Sequence, residues 1–224
     1  MPTSPSHSFR TSFAAAAGGF AGMVGRVPPG SWDRPGLGTW TVRDLVGHAS
    51  RALSTVDTYL AAGPSDRAPG DGDGDGDGDG DGDGDGDGAT IGPVAYYLAA
   101  RGANREAIAE RGRAAGLALG PDPADTVDRL ARQALVAVEA AGDDAPVAAP
   151  FGPMTLAGYL PTRTFELAVH GLDLGRAAGI EPPAAMAPAI AAACELAGAL
   201  AGQLAGAADF LLLVTGRTGR LSVV

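Results

Sequence analysis

The chain has 224 residues, 46% of them hydrophobic, which is enough for one domain with a substantial core. Its net charge of −10 is concentrated, because nine aspartates lie in a single Asp-Gly run at residues 71–88 and the rest of the chain is nearly neutral. All 16 basic residues are arginines scattered among acidic ones, so the basic face that nucleic-acid binding needs is missing and nucleic acid is excluded as an expected partner.

Cys194 is the only cysteine, which excludes an internal disulfide and predicts a reducing, cytoplasmic location. Its alanine-rich surroundings predict a small buried hydrophobe. The alanine-rich region at residues 184–214 is interrupted by a proline and by polar residues. We therefore expect a core helix there and no membrane span.

The N-terminal part predicts a tail and two helices. Residues 1–8 are rich in serine and proline and predict a disordered tail, in which His7 is discounted as a ligand. Apolar residues recur every three or four positions at residues 9–24, which predicts an amphipathic helix. A second helix begins at Thr41, forms a capping box with Asp44 and runs to about residue 62. His48 lies on the buried stripe of this helix, where a core histidine bonded to a backbone carbonyl is the alternative to a metal ligand.

The Asp-Gly run lies in a segment, residues 64–89, that interrupts the helical pattern and predicts a flexible linker within one domain spanning residues 9–224. The run contains the opening of a calcium-binding loop. Gly82, however, stands at the twelfth position counted from Asp71, where that loop needs glutamate. Specific calcium binding is therefore not expected.

Three further helices are predicted at about residues 93–115, 123–141 and 156–179, the last starting at Thr155 and bending or restarting at Pro161. The connector before the last of these contains a short extended segment at residues 147–149. The alanine-rich helix and a short tail complete the chain. Long helices joined by mostly short connections are typical of a bundle, so the predicted fold class is all-α.

The segment RTFELAVHGLD, residues 163–173, carries the strongest functional signal. In a helix, Glu166 and His170 stand one turn apart on one face, where a carboxylate and an imidazole can bind one metal ion. His48 is the predicted third ligand, from a second helix. Asp173 is close enough to support His170 or to hold an incoming group. Arg163 either pairs with a carboxylate of the substrate or thiol, or forms a surface or helix-end salt bridge.

Two blocks carry a family resemblance: WTVRDLVGHAS at residues 40–50 and MTLAGYLPTRTFELAVHGLDLGRAAG at residues 154–179. They resemble the signature blocks of the mycothiol-dependent maleylpyruvate isomerase family, within the DinB-like four-helix metalloproteins. FLLLVTGR, at residues 210–217, resembles the end of shorter members. The resemblance implies a DinB-like four-helix bundle with an additional C-terminal helix. It also implies that zinc is the metal and that His48, Glu166 and His170 are its ligands.

The resemblance further implies that mycothiol, a low-molecular-weight thiol, loses its proton at zinc and adds to a small electrophile. Addition to a cis double bond followed by elimination gives the trans isomer, and the same addition in relatives gives a stable S-conjugate. Longer members continue into a C-terminal αβ domain, whereas 54 residues follow His170 here, so thiol transfer is expected in preference to isomerisation. A homodimer is also expected.

Two alternatives stay open. Three protein ligands leave one coordination position free, which is typical of a catalytic metal. If Asp173 fills that position, the chain is instead a non-catalytic metal-binding or stress-response module. If water occupies it, the expected chemistry is hydrolysis with Asp173 as general base.

Overall fold

The computed structural model describes residues 5–62, 90–204, 206–214 and 217, with side chains from residue 9 onward. The predicted linker at residues 64–89 lies outside the described residues. The described part contains two paired two-residue strands, β1 (Pro146–Val147) and β2 (Met154–Thr155), which run antiparallel. Its α-helices are α1 (Pro5–Val24), α2 (Val42–Ala61), α3 (Pro93–Ala100), α4 (Arg105–Ala118), α5 (Pro123–Ala140), α6 (Leu156–Ala178), α7 (Ala187–Gly202) and α8 (Ala207–Val214).

Four of these helices form a closed ring in which α1 packs on α6, α6 on α2, α2 on α5 and α5 on α1. Helix α4 lies outside the ring on α2, α7 lies on α1 and α6, and α3 contacts α6 and α7. Each large apolar side chain buried in this way contributes roughly 1.5–3 kcal/mol. The predicted all-α bundle with a C-terminal addition is confirmed. The centre of the ring is filled by fully buried side chains that include Phe13, Phe20, Leu45, Leu53, Tyr159 and Leu167.

Both site helices begin where the sequence predicts. The Thr41 hydroxyl accepts from the backbone N–H of Asp44, and the Asp44 carboxylate accepts from the backbone N–H of Thr41, which completes the capping box of α2. Thr155 caps α6 by accepting from the backbone N–H of Gly158. Helix α6 then runs unbroken through Pro161, so the helix does not restart there.

The predicted helix at residues 93–115 is wrong, because the structure has two helices, α3 and α4, in its place. The break falls at residues 101–104. The side chain of Asn104 accepts from the backbone N–H groups of Glu106 and Ala107 and so starts α4 as a new helix. Helix α1 begins at Pro5, earlier than predicted, so residues 5–8 of the predicted tail are helical. Proline favours the first turn of a helix, where its missing N–H costs nothing.

The C-terminal region also differs from expectation, because two helices, α7 and α8, replace one long helix. Cys194, predicted to be buried, is exposed on α7. Among the described residues, Ala184–Gly202 is the one helical stretch that is long and apolar enough to cross a membrane, with a mean hydropathy of 1.6. In this structure it packs against α1 and α6 through a stripe of small and apolar side chains, as the predicted core helix would.

Gly47 determines how closely α2 and α4 approach, next to the predicted ligand His48. A Cβ atom on Gly47 would lie 2.2 Å from the backbone nitrogen of Gly116 on α4. Backbone atoms cannot move aside as a flexible side chain can. Only glycine at position 47 therefore permits this crossing, which holds α4 against the part of α2 that carries the site.

Candidate metal centre

The structure brings the three predicted ligands together. His48 on α2 meets Glu166 and His170 on α6, and one potential ligand atom from each lies within 4.8 Å of the other two. The two imidazole rings meet edge to face with their centroids 5.0 Å apart. The adjacency of α2 and α6 in the ring makes this possible, because the two helices are far apart in sequence.

The spacing of the α6 ligands fits a metal ion. His170 Nε2 and Glu166 Oε2 lie 3.3 Å apart. Two ligand atoms at ordinary zinc distances, in a tetrahedral arrangement, are separated by about 3.3 Å. Two imidazoles and a carboxylate are also a donor set that zinc accepts in catalytic sites. Distance and chemistry therefore fit a metal ion bound by these residues.

The pKa shifts of His170 and Glu166 also favour a positive charge between these two side chains. Burial alone lowers the pKa of His170, but hydrogen bonds to Asp173 and Glu166 outweigh burial and raise that pKa to about 9. Burial alone raises the pKa of Glu166, but His170 and then Arg163 outweigh it and lower that pKa to about 2. Without a bound metal ion, these shifts favour a carboxylate on Glu166 beside an imidazolium on His170, and a metal bound at Nε2 would have to displace the proton there.

Asp173 lies behind His170, away from the other ligands. Its Oδ2 is 3.2 Å from His170 Nδ1, the ring nitrogen that does not face Glu166. Asp173 does not belong to the group of close ligand atoms found among the described residues. Its geometry is that of a carboxylate that orients a metal-binding histidine through the far nitrogen.

Trp40 covers His48 and was not predicted to have a role. The two ring centroids are 4.6 Å apart, and Trp40 Nε1 donates to the backbone carbonyl of Ala109 on α4 at 3.0 Å. Gly112 leaves room for the indole, because a Cβ there would lie 2.6 Å from it. Helix α4 therefore holds Trp40 over His48, and Trp40 limits the motion of that imidazole.

Tyr97 on α3 contacts the site from the other side, and sequence reasoning missed it. Its phenol donates to Glu166 Oε1 at 2.7 Å. Burial, and next the charge of Glu166, raises the pKa of Tyr97 well above its ordinary value, so the phenol keeps its proton and remains a donor. The adjacent tyrosines of α3 were the only signal in the sequence, and a tyrosine in a helical pattern is not by itself distinguishable from a core residue.

Arg163 is buried, with 6% of its surface exposed, so a surface salt bridge is ruled out. Its guanidinium donates to Tyr96 Oη at 3.0 Å and stacks over the ring of Tyr159 at 4.7 Å. None of the carboxylates in the described part of the chain forms an ion pair with it. Arg163 thus presents a buried positive charge held by aromatic groups.

A cleft of about 210 Å³ opens beside the ligands and is lined by both His48 and Glu166. Three arginines, Arg51, Arg111 and Arg163, also line it. Aromatic and small apolar side chains cover much of the remaining wall. The cleft can therefore take a small, partly apolar molecule that carries negative charge.

Fold and site together define a helical-bundle protein with a candidate two-histidine, one-glutamate metal centre. The family model of the mycothiol maleylpyruvate isomerase N-terminal domain matches residues 13–175, well over half of the chain, and the chain belongs to this family. The match runs from α1 into the last turn of α6 and includes all three candidate ligands. The predicted family and its DinB-like bundle are confirmed. No curated protein and no solved structure matches the chain.

Proposed function

We propose that this chain is a zinc-dependent enzyme that uses a low-molecular-weight thiol, mycothiol in its family, to modify a small electrophile. The main support is the close approach of potential ligand atoms from His48, Glu166 and His170, within 4.8 Å of one another, together with a cleft that His48 and Glu166 line. The family supplies the thiol, because the matching domain is named for mycothiol. Family and geometry thus point to the same chemistry.

A zinc ion held by these three residues would lower the pKa of a thiol in the remaining position, so that the thiolate forms at neutral pH. The thiol proton would pass to solvent, and the sulfur would bond to one carbon of the substrate double bond while the π electrons move to the neighbouring carbon. In transfer that carbon would take up a proton from solvent, and in isomerisation rotation about the new single bond would be followed by loss of the thiolate, which re-forms the double bond as the trans isomer. Asp173 would accept a hydrogen bond from the Nδ1–H group of His170 and so keep Nε2 facing Glu166.

The charges of the cleft favour an electrophile with a carboxylate group. Arg163 is the candidate partner, since it lines the cleft and its guanidinium is already held in position by Tyr96 and Tyr159. Arg51 and Arg111 add positive charge to the same wall. A bidentate arginine–carboxylate pair would orient the electrophilic carbon towards the thiol.

The test is metal content, measured by mass spectrometry on wild-type protein, His48→Ala and Glu166→Ala after zinc reconstitution. We expect about one zinc per chain in the wild type and loss of zinc in both variants, because each variant removes one of three ligands. Cys194→Ala is the matched control, since Cys194 is an exposed thiol outside the site and its removal should not change the zinc content.

Absence of zinc from the reconstituted wild type would overturn the proposal and favour a non-catalytic helical module. Zinc binding without consumption of mycothiol across a panel of carboxylate-bearing electrophiles would favour a structural metal. A cytoplasmic location and a homodimer stay predictions, and sedimentation of the purified chain reads the second of these directly.

A further inference from the structure

Tyr97 forms a hydrogen bond with one carboxylate oxygen of Glu166, the oxygen that does not face His170. Its phenol lies 2.7 Å from Glu166 Oε1 and 3.1 Å from the backbone carbonyl oxygen of Thr162. A phenol has one proton to donate. The shorter contact to a charged carboxylate is the stronger hydrogen bond, so the proton points to Glu166.

The phenol is fixed by its surroundings. The ring of Tyr97 lies 5.2 Å from that of Phe165 on α6 and 5.5 Å, edge to face, from that of Tyr96. Such close packing restricts the movement of the Tyr97 side chain. Tyr97 therefore cannot move away from Glu166 without losing its contacts with Phe165 and Tyr96.

The two oxygens of Glu166 consequently have different partners. Oε1 accepts from Tyr97, whereas Oε2 faces His170 Nε2 at 3.3 Å. We propose that Tyr97 is a positioning residue that makes Glu166 a one-oxygen metal ligand and so preserves the coordination position that the thiol needs. This inference rests on the proposed metal site and adds the way in which that site stays open.

A carboxylate can bind a metal through one oxygen or through both. Two-oxygen binding would fill a position that a catalytic site must leave free. A hydrogen bond to Oε1 competes with that mode, because the same lone pairs cannot serve the phenol and the ion equally well. Loss of the phenol should therefore leave the Glu166 carboxylate less firmly positioned. It should also raise the coordination number of the bound metal ion.

The experiment compares wild-type protein with Tyr97→Phe after loading with Co²⁺, whose visible absorption reports its coordination number. We expect an intense, tetrahedral type of spectrum in the wild type and a weaker, five-coordinate type in Tyr97→Phe. We also expect zinc affinity, measured by competition with a chelator, to fall by roughly 10- to 100-fold, as is usual when a group that supports a ligand is removed.

Tyr59→Phe is the matched control, because it removes the phenol of a buried tyrosine on α2 that does not line the cleft. It should keep the wild-type spectrum and affinity. An unchanged spectrum and affinity in a folded Tyr97→Phe protein would overturn the inference while leaving the metal site intact. A wild type that binds neither ion would instead overturn the proposed function.

The wild type alone provides a second measurement, should Tyr97→Phe fail to fold. The infrared difference spectrum between zinc-loaded and metal-free protein isolates the carboxylate that changes. For one-oxygen binding we expect a large frequency difference between the antisymmetric and symmetric stretching bands of the carboxylate. Closely spaced stretches would contradict the inference.

Discussion

At the scale of single residues, the two candidate ligands on α6, His170 and Glu166, each contact a different supporting group. Asp173 contacts the far nitrogen of His170, and Tyr97 contacts the far oxygen of Glu166. In the metal-free protein this arrangement stores a proton on His170. Since its pKa rises from an ordinary 6.5 to about 9, the stabilisation is fully present below pH 6.5 and is lost as the pH rises through 9.

The same proton predicts how metal binding depends on pH. Zinc must displace it, so the apparent zinc affinity should rise about tenfold per pH unit until the pH reaches the His170 pKa and should then level off. Chelator competition across that range measures the slope. In Asp173→Asn the zinc affinity should level off at a lower pH, because the hydrogen bond to Asp173 is the largest contribution that raises the His170 pKa. A slope of zero in the wild type would contradict a protonated His170.

At the scale of elements, the site depends on where α4 lies, although α4 supplies none of the three ligands. The backbone carbonyl of Ala109 holds Trp40 over His48, and the contact between Gly47 and Gly116 sets the distance between α2 and α4. A small shift of α4 would therefore affect His48 both through Trp40, which covers it, and through the backbone of α2 next to Gly47.

Gly47→Ala tests this dependence. The new Cβ would meet backbone atoms of α4, so we expect a loss of about 1–3 kcal/mol in the free energy of unfolding, measured by urea denaturation. Zinc affinity should fall in the same variant. Gly18→Ala on α1 is the matched control, because its Cβ would meet nothing within 4 Å and the change should stabilise the helix by roughly 0.5–1 kcal/mol. Equal effects of the two substitutions would contradict the close crossing.

At the scale of the whole molecule, the candidate centre joins two helices of the ring, α2 and α6, between which α3, α4 and α5 lie in the chain. An ion bound there would contact both only in the folded chain. Metal binding should therefore be linked to the stability of the entire bundle and not only to the site.

Thermal unfolding with and without zinc measures this linkage. At a free zinc concentration of 100 times the dissociation constant, we expect a gain of about 2.7 kcal/mol. For a chain of this size that corresponds to a rise of several degrees in the melting temperature. His48→Ala should show no such rise. An equal rise in that variant would place zinc elsewhere on the protein.

The sequence was sufficient for the parts of the site that depend on local periodicity. Glu166 and His170 share a helix face by their spacing alone, and the capping box at Thr41 located the helix that carries His48. Tyr97 could not be found in this way, because its contact with Glu166 joins residues 69 positions apart through the packing of α3 on α6. The break before α4 was missed because the apolar pattern outweighed the cap at Asn104.

The neighbouring positions of α2 and α6 in the ring also bear on where the chain can be lengthened. A metal bound by the candidate ligands on both helices would turn the intervening chain, from His48 to Glu166, into one closed loop, and the Asp-Gly run belongs to that loop by sequence. The entropy of closing a loop grows only with the logarithm of its length, by about 0.6 kcal/mol per doubling. Repeats can accordingly expand at this point of the sequence at a small thermodynamic cost to metal binding.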